Sequence, residues 1–193
     1  MYALAAPVET ELDIKKSRFI GIVMPVTSRE AAMRELGALR VRYPNATHYC
    51  WVLLCEGASG FDDDGEPGGT AAKPMYNVLM HKSLTNVLAV VVRYYGGIKL
   101  GAGGLTRAYG QAVSEALKLA TLTAVEPTTE PRYRCTFAHE ATLRRLAERH
   151  GAEVLDAGYD DAVTLRLRLK VRDVAAFEAD ATQALSGGLK RSD

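Results

Sequence analysis

Residues Asn86 to Tyr95 (NVLAVVVRYY) form a nearly continuous, β-branched apolar run, and this run limits how the rest of the chain can be arranged. A strand that is apolar at both parities has no face to give to water, so it belongs inside a sheet covered on both sides. The segment after it predicts one of the covers. Beyond RYYGGIKLGAGGLTRAYG (Arg93 to Gly110), the residues Leu105, Ala108, Tyr109, Ala112, Val113, Ala116, Leu117 and Ala120 recur at three- and four-residue steps. That is the pattern of an amphipathic helix. Strand, glycine-rich turn and helix in succession imply a mixed α/β (α+β) architecture.

The flanking segments supply the remaining elements. Arg18 to Val26 reads as a strand, and Thr27-Ser28-Arg29-Glu30 has capping-box spacing ahead of a helix that buries Ala32, Met33, Leu36 and Leu39. Tyr43-Pro44-Asn45 ends that helix, His48 to Glu56 reads as a further strand, and Gly57 to about Pro74 reads as a loop. Thr121 to Pro131 (TLTAVEPTTEP) lacks an apolar period and marks a boundary, which divides the chain into residues 1–125 and 126–193. The second part reads βαββα: a strand over Arg132 to Ala138, a helix through Leu143, Leu146 and Ala147 that stops near His150-Gly151, and a hairpin of Glu153 to Tyr159 and Val163 to Val171. A second helix, capped by Asp173, ends before Gly187-Gly188. This order predicts a ferredoxin-like domain.

Charge locates the candidate site. Between Pro67 and Ser114, 48 residues contain no Asp or Glu but carry Lys73, Lys82, Arg93, Lys99 and Arg107. Gly96, Gly97, Gly101, Gly103 and Gly104 lie in the strand-to-helix turn, where glycine lets backbone approach a ligand and free N–H groups open a helix; phosphate suits that geometry. Arg93 at the strand end, Lys99 in the turn and Arg107 in the first helical turn add three cations, with Lys73 as a further contact candidate. The turn matches neither the Walker loop nor the dinucleotide fingerprint. The plainer reading is that these glycines serve close packing and that the cations are solvated or paired.

Immediately before this segment stands Asp62-Asp63-Asp64-Gly65-Glu66. Asp63, Asp64 and Glu66, with Thr70, are expected to orient the cleft, for instance by pairing Asp64 or Glu66 with Lys73 or Arg93. Asp62 and Asp64 are weak candidates for holding Mg²⁺, although calcium-loop spacing is absent. His48 at a strand start is a candidate general base, with a structural role as its rival. No nucleophile motif accompanies it, so the lean is toward a non-enzyme without a cofactor. Cys50 and Cys55, five apart in one strand, point to opposite faces and, with Cys135, read as core thiols.

The total of 24 Lys plus Arg against 23 Asp plus Glu does not announce a nucleic-acid binder, so local clustering has to carry that case. One second cluster exists. Arg166, Arg168 and Lys170 alternate with apolar residues on one strand, as Arg132 and Arg134 do on another, so a shared sheet would present five cations on its open face. Tyr133 and Phe137 fall on the apolar parity, and the segment from Glu126 onward holds 11 bases against 12 acids, so a solvated face is the competing account. The N-terminus has no basic leader and no segment reaches the length of a membrane span, so a cytoplasmic protein is expected.

Four stretches, KSRFIG (Lys16 to Gly21), ATHYCW (Ala46 to Trp51), DDGEPGGTAAKP (Asp63 to Pro74) and VVVRYYGGIKLGAGGLTRAYG (Val90 to Gly110), together resemble the IMPACT family in its bacterial YigZ branch, over about residues 15 to 120. The resemblance implies a first domain like the second domain of a small-subunit ribosomal protein. It also implies a small C-terminal domain similar to the last domain of elongation factor EF-G. Eukaryotic members restrain a starvation-responsive initiation-factor kinase by binding its ribosome-associated activator, a pathway that bacteria lack. What the resemblance implies here is association with RNA, the ribosome or its factors, with no membrane partner and no DNA sequence specificity. A phosphoryl-substrate enzyme and a protein-docking module stay open beside it. Gly68 stands where relatives often have Ser or Ala, and Ala72 where many have Gly.

Overall fold

The computed structural model describes residues 1–55 and 57–192. Contacts divide the chain into two compact units, Met1–Val125 and the residues from Glu126 on.

In the first unit the strands are β1 (Tyr2–Leu4), β2 (Val8–Ile14), β3 (Ser17–Pro25), β4 (His48–Leu54), β5 (Gly60–Asp62), β6 (Val87–Tyr94) and β7 (Leu122–Ala124). The helices are α1 (Arg29–Arg42), α2 (Ala72–His81) and α3 (Ala102–Lys118). Five strands make an antiparallel sheet in the order β2-β3-β6-β4-β5, while β1 pairs with β7 separately. The apolar run is the central strand β6, as its composition requires. Its residues Leu88, Val90 and Val92 pack toward Leu36 and Leu39 of α1, and Val87, Ala89 and Val91 pack toward α2 and α3 on the opposite face. Cys50 and Cys55 likewise fall in opposite cores, and all three cysteines are free and buried.

Several local details differ from the sequence reading. The predicted residue Glu56 lies outside the described residues, and β4 ends at Leu54. Ser28, rather than Thr27, caps α1, its Oγ accepting from Ala31 N–H at 3.1 Å. Helix α2 lies in what reads as loop and unassigned chain. Pro74 is tolerated there because it falls in the first turn, where no intrahelical N–H is needed, and Ala72, Met75 and Leu79 are buried. The edge strand β2, half-buried at alternate residues, also went unread.

Helix α3 buries Leu105, Ala108, Tyr109, Ala112, Val113, Ala116 and Leu117 against β3 and β6. Its alanine stripe brings the helix backbone so near the sheet that a Cβ at Gly21 of β3 would stand 2.4 Å from the Ala112 carbonyl oxygen.

The second unit contains β8 (Thr128–Thr129), β9 (Arg132–Cys135), α4 (Glu140–Arg149), β10 (Glu153–Tyr159), β11 (Val163–Lys170), α5 (Val174–Ala184) and β12 (Lys190–Ser192). Its antiparallel sheet runs β10-β11-β9-β12 with β8 beside β11. Taken in chain order, the four main strands have the spatial order 4-1-3-2, which is ferredoxin-like. The unread β12 completes the split βαβ pattern. One sheet face buries Tyr133, Val163, Leu165 and Leu167 with Leu143 and Phe177 of the helices. Phe137 is not in this core: β9 ends at Cys135, and Phe137 opens a 3-10 turn, 55% exposed. Asp173 precedes α5 but makes no side-chain cap, because a 3-10 turn over Val171–Asp173 already holds it in helical backbone.

Two glycines give opposite expectations by urea denaturation. Gly21→Ala is expected to cost about 1–3 kcal/mol by overpacking against α3. Gly37→Ala, exposed in α1 with nothing within 4 Å of the new methyl, is expected to gain about 0.5–1 kcal/mol.

Candidate functional site

Register builds the site. On β6, Arg93 continues the parity of Val87, Ala89 and Val91, so its side chain leaves the sheet on the α3 side. Directly opposite it stand Phe19 of β3 and His48 of β4, and cross-strand partners share a face. Ser17, two residues before Phe19, adds a fourth group on that face.

The center is a buried ion pair. Arg93 Nη1 donates to Glu66 Oε1 at 2.5 Å, with the two side chains 5% and 3% exposed. Tyr109 O–H, from the core face of α3, donates to the same oxygen at 2.6 Å, and Arg93 Nη2 reaches Ser17 Oγ at 3.4 Å. The guanidinium also lies 5.2 Å from the Phe19 ring centroid and 5.4 Å from that of Tyr95. Burial first, and then the Cys50 and Glu66 neighbors, push the Tyr109 phenol far up from its ordinary value. The Cys50 thiol, donating to the Asp63 carbonyl at 3.0 Å, is pushed up to about 12, chiefly by burial.

Among the pairings weighed from sequence, that of Glu66 with Arg93 is present. This corrects the view of Arg93 as a freely offered phosphate ligand: its charge is committed to Glu66. One atom is left over, because Nε is buried and has no partner among the described residues. The cleft that Arg93 lines, about 450 Å³, is bordered also by Thr47, His48, Tyr95, Lys99 and Gly101.

Gly101 occupies the N-cap of α3 with φ +73°, a conformation that suits glycine, and supplies no side-chain cap. The first turn of α3, containing Gly103 and Gly104, has no acid, so its N–H groups and the positive end of the helix dipole face the cleft rim uncompensated. Gly96 and Gly97 shape the turn before it. A Cβ at Gly96 would sit 1.9 Å from the Lys16 carbonyl oxygen, and Gly96 N–H donates to Ser17 Oγ at 3.2 Å. Lys99 is exposed at the mouth. Arg107 is exposed but does not line the cleft; its Nη1 curls toward Gly103. Lys73 is elsewhere, in a hollow with Phe61 and Tyr76.

The acidic loop is a scaffold. Asp63 accepts from Ala71 and Ala72 N–H at 3.1 and 2.7 Å and from Gly69 N–H at 2.7 Å, so a residue distant in sequence caps α2. Ala72 has helical backbone there, and Gly68 has open space where a side chain would stand. Asp64 accepts from Tyr49 N–H at 2.6 Å and from Arg40 at 3.2 Å, Asp62 accepts from Asp64 N–H, and Thr70 donates to the Pro67 carbonyl. Both carboxylate oxygens of Asp64 and one of Asp62, the residues weighed for Mg²⁺, thus accept from protein donors, and among the described residues no group of three or more His, Cys, Asp or Glu side chains could hold a metal.

His48 Nδ1 lies 2.7 Å from the Asp64 carbonyl oxygen. A carbonyl only accepts, so Nδ1 carries the proton, and in the neutral ring Nε2 is left as an acceptor, 3.8 Å from Glu66 Oε1. Sequence reasoning missed Ser17, Thr47, Tyr95 and Tyr109. Tyr109 had a signal: a tyrosine on an otherwise alanine-rich core stripe has a hydroxyl that needs a partner.

The second basic surface is corrected as well. The five cations do share the open face, but Arg134 pairs with Asp161, Arg166 and Arg168 with Glu130, Arg168 also with Glu153, and Lys170 with Glu126. Arg132 alone of the five has no ion pair among the described residues. Acids contributed by neighboring segments neutralize the stripe.

Residues 15–117 match the Impact N-terminal domain, and residues 134–187 match a domain of unknown function, DUF1949. The chain belongs to the IMPACT family. It is 39% identical over 191 residues to the IMPACT family member YigZ of Escherichia coli K12, covering 96% of this chain and 94% of that one. To an IMPACT family member of Haemophilus influenzae it is 38% identical over 184 residues, 93% of this chain and 89% of the other. A crystal structure of a hypothetical protein, 37% identical, superimposes with a TM-score of 0.79 across 98% of this chain and 95% of its own. In this IMPACT family chain the cleft and its ion pair lie wholly within the matched N-terminal domain.

Arg93→Ala is expected to lower stability by about 3–5 kcal/mol in urea titration, since it strands the buried Glu66 carboxylate, whereas Arg93→Met with Glu66→Leu is expected to cost less than the single change. The raised thiol and phenol predict an alkaline limit. The unfolded chain releases the Cys50 and Tyr109 protons near their ordinary values of 9.0 and 10.0, while the folded chain retains them. Their contribution is therefore complete below about pH 9 and declines as pH rises toward 12, and the folded protein is expected to resist thiol labeling at pH 8.

Proposed function

We propose that the cleft at the N-terminus of α3 binds a phosphate group of RNA, and that the chain acts in the cytoplasm beside the translation machinery without chemical turnover. The observation that carries this reading is the pairing of an uncapped, acid-free helix N-terminus with Arg93 Nε, a buried donor that lacks a partner. Helix N–H groups and a spare guanidinium hydrogen together suit a tetrahedral oxyanion. Lys99 at the mouth and Arg107 over the first turn add charge that steers a polyanion. The neutralized face of the second domain supports placing the contact on the first.

One observation favors a second reading, an enzyme acting on a phosphorylated small molecule. The His48 tautomer leaves Nε2 open as a base beside the anion site, an arrangement that does not require a metal.

The test is calorimetry with inorganic phosphate together with a salt series on a labeled 12-nucleotide RNA, comparing the native chain with Lys99→Ala/Arg107→Ala. Phosphate is expected to bind the native chain, and removing the two cations, if both neutralize RNA phosphates, is expected to flatten the slope of log K against log salt by about 1.4. Unchanged slopes with retained binding would move the site off this cleft. Phosphate release from a panel of nucleotides and phosphoesters, abolished by His48→Gln, would replace the binding reading with the enzymatic one.

A further inference from the structure

A lone phosphate does not account for the cleft at the start of α3. Its volume of about 450 Å³ falls in the range of pockets that enclose a small organic ligand, about 300–1,000 Å³, and an inorganic oxyanion would leave most of it unfilled. The lining is also of two kinds. Lys99 and Gly101 border it where α3 begins, whereas Pro67, Tyr95, Leu100 and Leu105 supply an apolar wall. A phosphate at the helix start makes no use of that wall, so the ligand that fills the cleft is a phosphate ester with a sizeable apolar or aromatic part.

Tyr95 narrows the choice. It follows the last residue of the central strand, and its N–H donates to Thr47 Oγ1 at 2.9 Å while the Arg93 guanidinium lies 5.4 Å from its ring centroid. The residue is therefore held in place, yet it is 45% exposed and lines the cleft. A tyrosine surface of this kind suits a flat π-system, and nucleobases stack on aromatic rings whatever their identity. His48 Nε2 and the Glu66 carboxylate, also in the lining, are acceptors that suit the N–H groups of a base edge.

The charge fits a phosphate at the end of a molecule. Lys99 is the single mobile cation among the described lining residues, too few to follow a strand through the cleft. A phosphate monoester instead brings close to two negative charges and three free oxygens to one point. The acid-free first turn of α3, Lys99 and the Nε of Arg93, a side chain 5% exposed, are donors for a group of that kind. We propose that the cleft takes a nucleoside 5′-monophosphate, free or at the 5′ end of an RNA, with its phosphate at the α3 N-terminus and its base against Tyr95. The phosphate half rests on the reading of the cleft given above; the base half rests on the apolar wall.

Calorimetry on the full chain compares UMP and AMP with ribose 5-phosphate and inorganic phosphate. Tyr95→Leu, which keeps an apolar side chain but removes the ring, is run beside the native chain with its melting temperature checked. Both nucleotides are expected to bind the native chain about 10-fold or more tightly than ribose 5-phosphate, and Tyr95→Leu is expected to lose that advantage while binding ribose 5-phosphate unchanged. Nucleotides no tighter than ribose 5-phosphate, or a folded Tyr95→Leu chain that keeps the preference, would overturn the proposal and, with phosphate still bound, leave the cleft reading intact. Failure of phosphate and nucleotides alike to bind would overturn both. A 12-nucleotide RNA with a 5′-phosphate, set against its 5′-hydroxyl counterpart, then separates the two sources. Binding about 10-fold or more tighter with the phosphate assigns the cleft to an RNA end. Equal binding of the two strands, with UMP and AMP still bound, assigns it to a free nucleotide and overturns the RNA reading while keeping this one.

Discussion

The ion pair of Arg93 with Glu66 is the constraint on which the first domain's working surface depends. Two charges removed from water are tolerable only when they meet each other and further donors, and here Tyr109 and Ser17 complete the arrangement. The pair ties the end of the central strand to the acidic loop, the loop caps α2 through Asp63, and Tyr109 ties both to α3. Strand, loop and two helices are thereby held in one register around a single carboxylate oxygen.

This arrangement also sets the electrostatics of the cleft. Because Glu66 neutralizes Arg93, the groups left for the proposed anion contact are the backbone of the α3 N-terminus, the guanidinium Nε–H and Lys99 at the rim. These groups differ in kind: the first two are fixed and directional, and the third is a mobile charge that acts through steering. Basic residues are more numerous on the open sheet of the second domain, yet Glu126, Glu130, Glu153 and Asp161 pair with most of them. A count of cations is therefore a poor guide to available charge, because the fold decides how much of it is already paired.

Much of the fold was legible because its signals are local and periodic. The apolar run of β6, the helical repeat of α3 and the β10–β11 hairpin each declare themselves within a single window. Helix α2 did not, since its capping group is Asp63, eight or more residues upstream, and its Pro74 imitates the end of a loop. The edge strand β2 and the closing strand β12 are stabilized by partners rather than by their own composition, so neither announced itself. The Thr27 and Asp173 caps failed for a related reason: side-chain capping depends on backbone angles that a motif does not specify.

By itself the sequence determined that β6 lies inside a sheet, that a glycine turn and an acid-free helix start follow it, and that an acidic loop stands nearby, because periodicity and charge are properties of neighboring residues. Only the tertiary structure decided what those charges are for. Cross-strand register set His48 and Phe19 beside Arg93, and close packing at Gly21 brought Tyr109 down onto Glu66. Long-range pairing turned four of the five cations on the second domain's open face into ion-paired surface. Whether a charge is available to a ligand depends on which opposite charge the fold places within about 4 Å of it, and no linear pattern contains that distance.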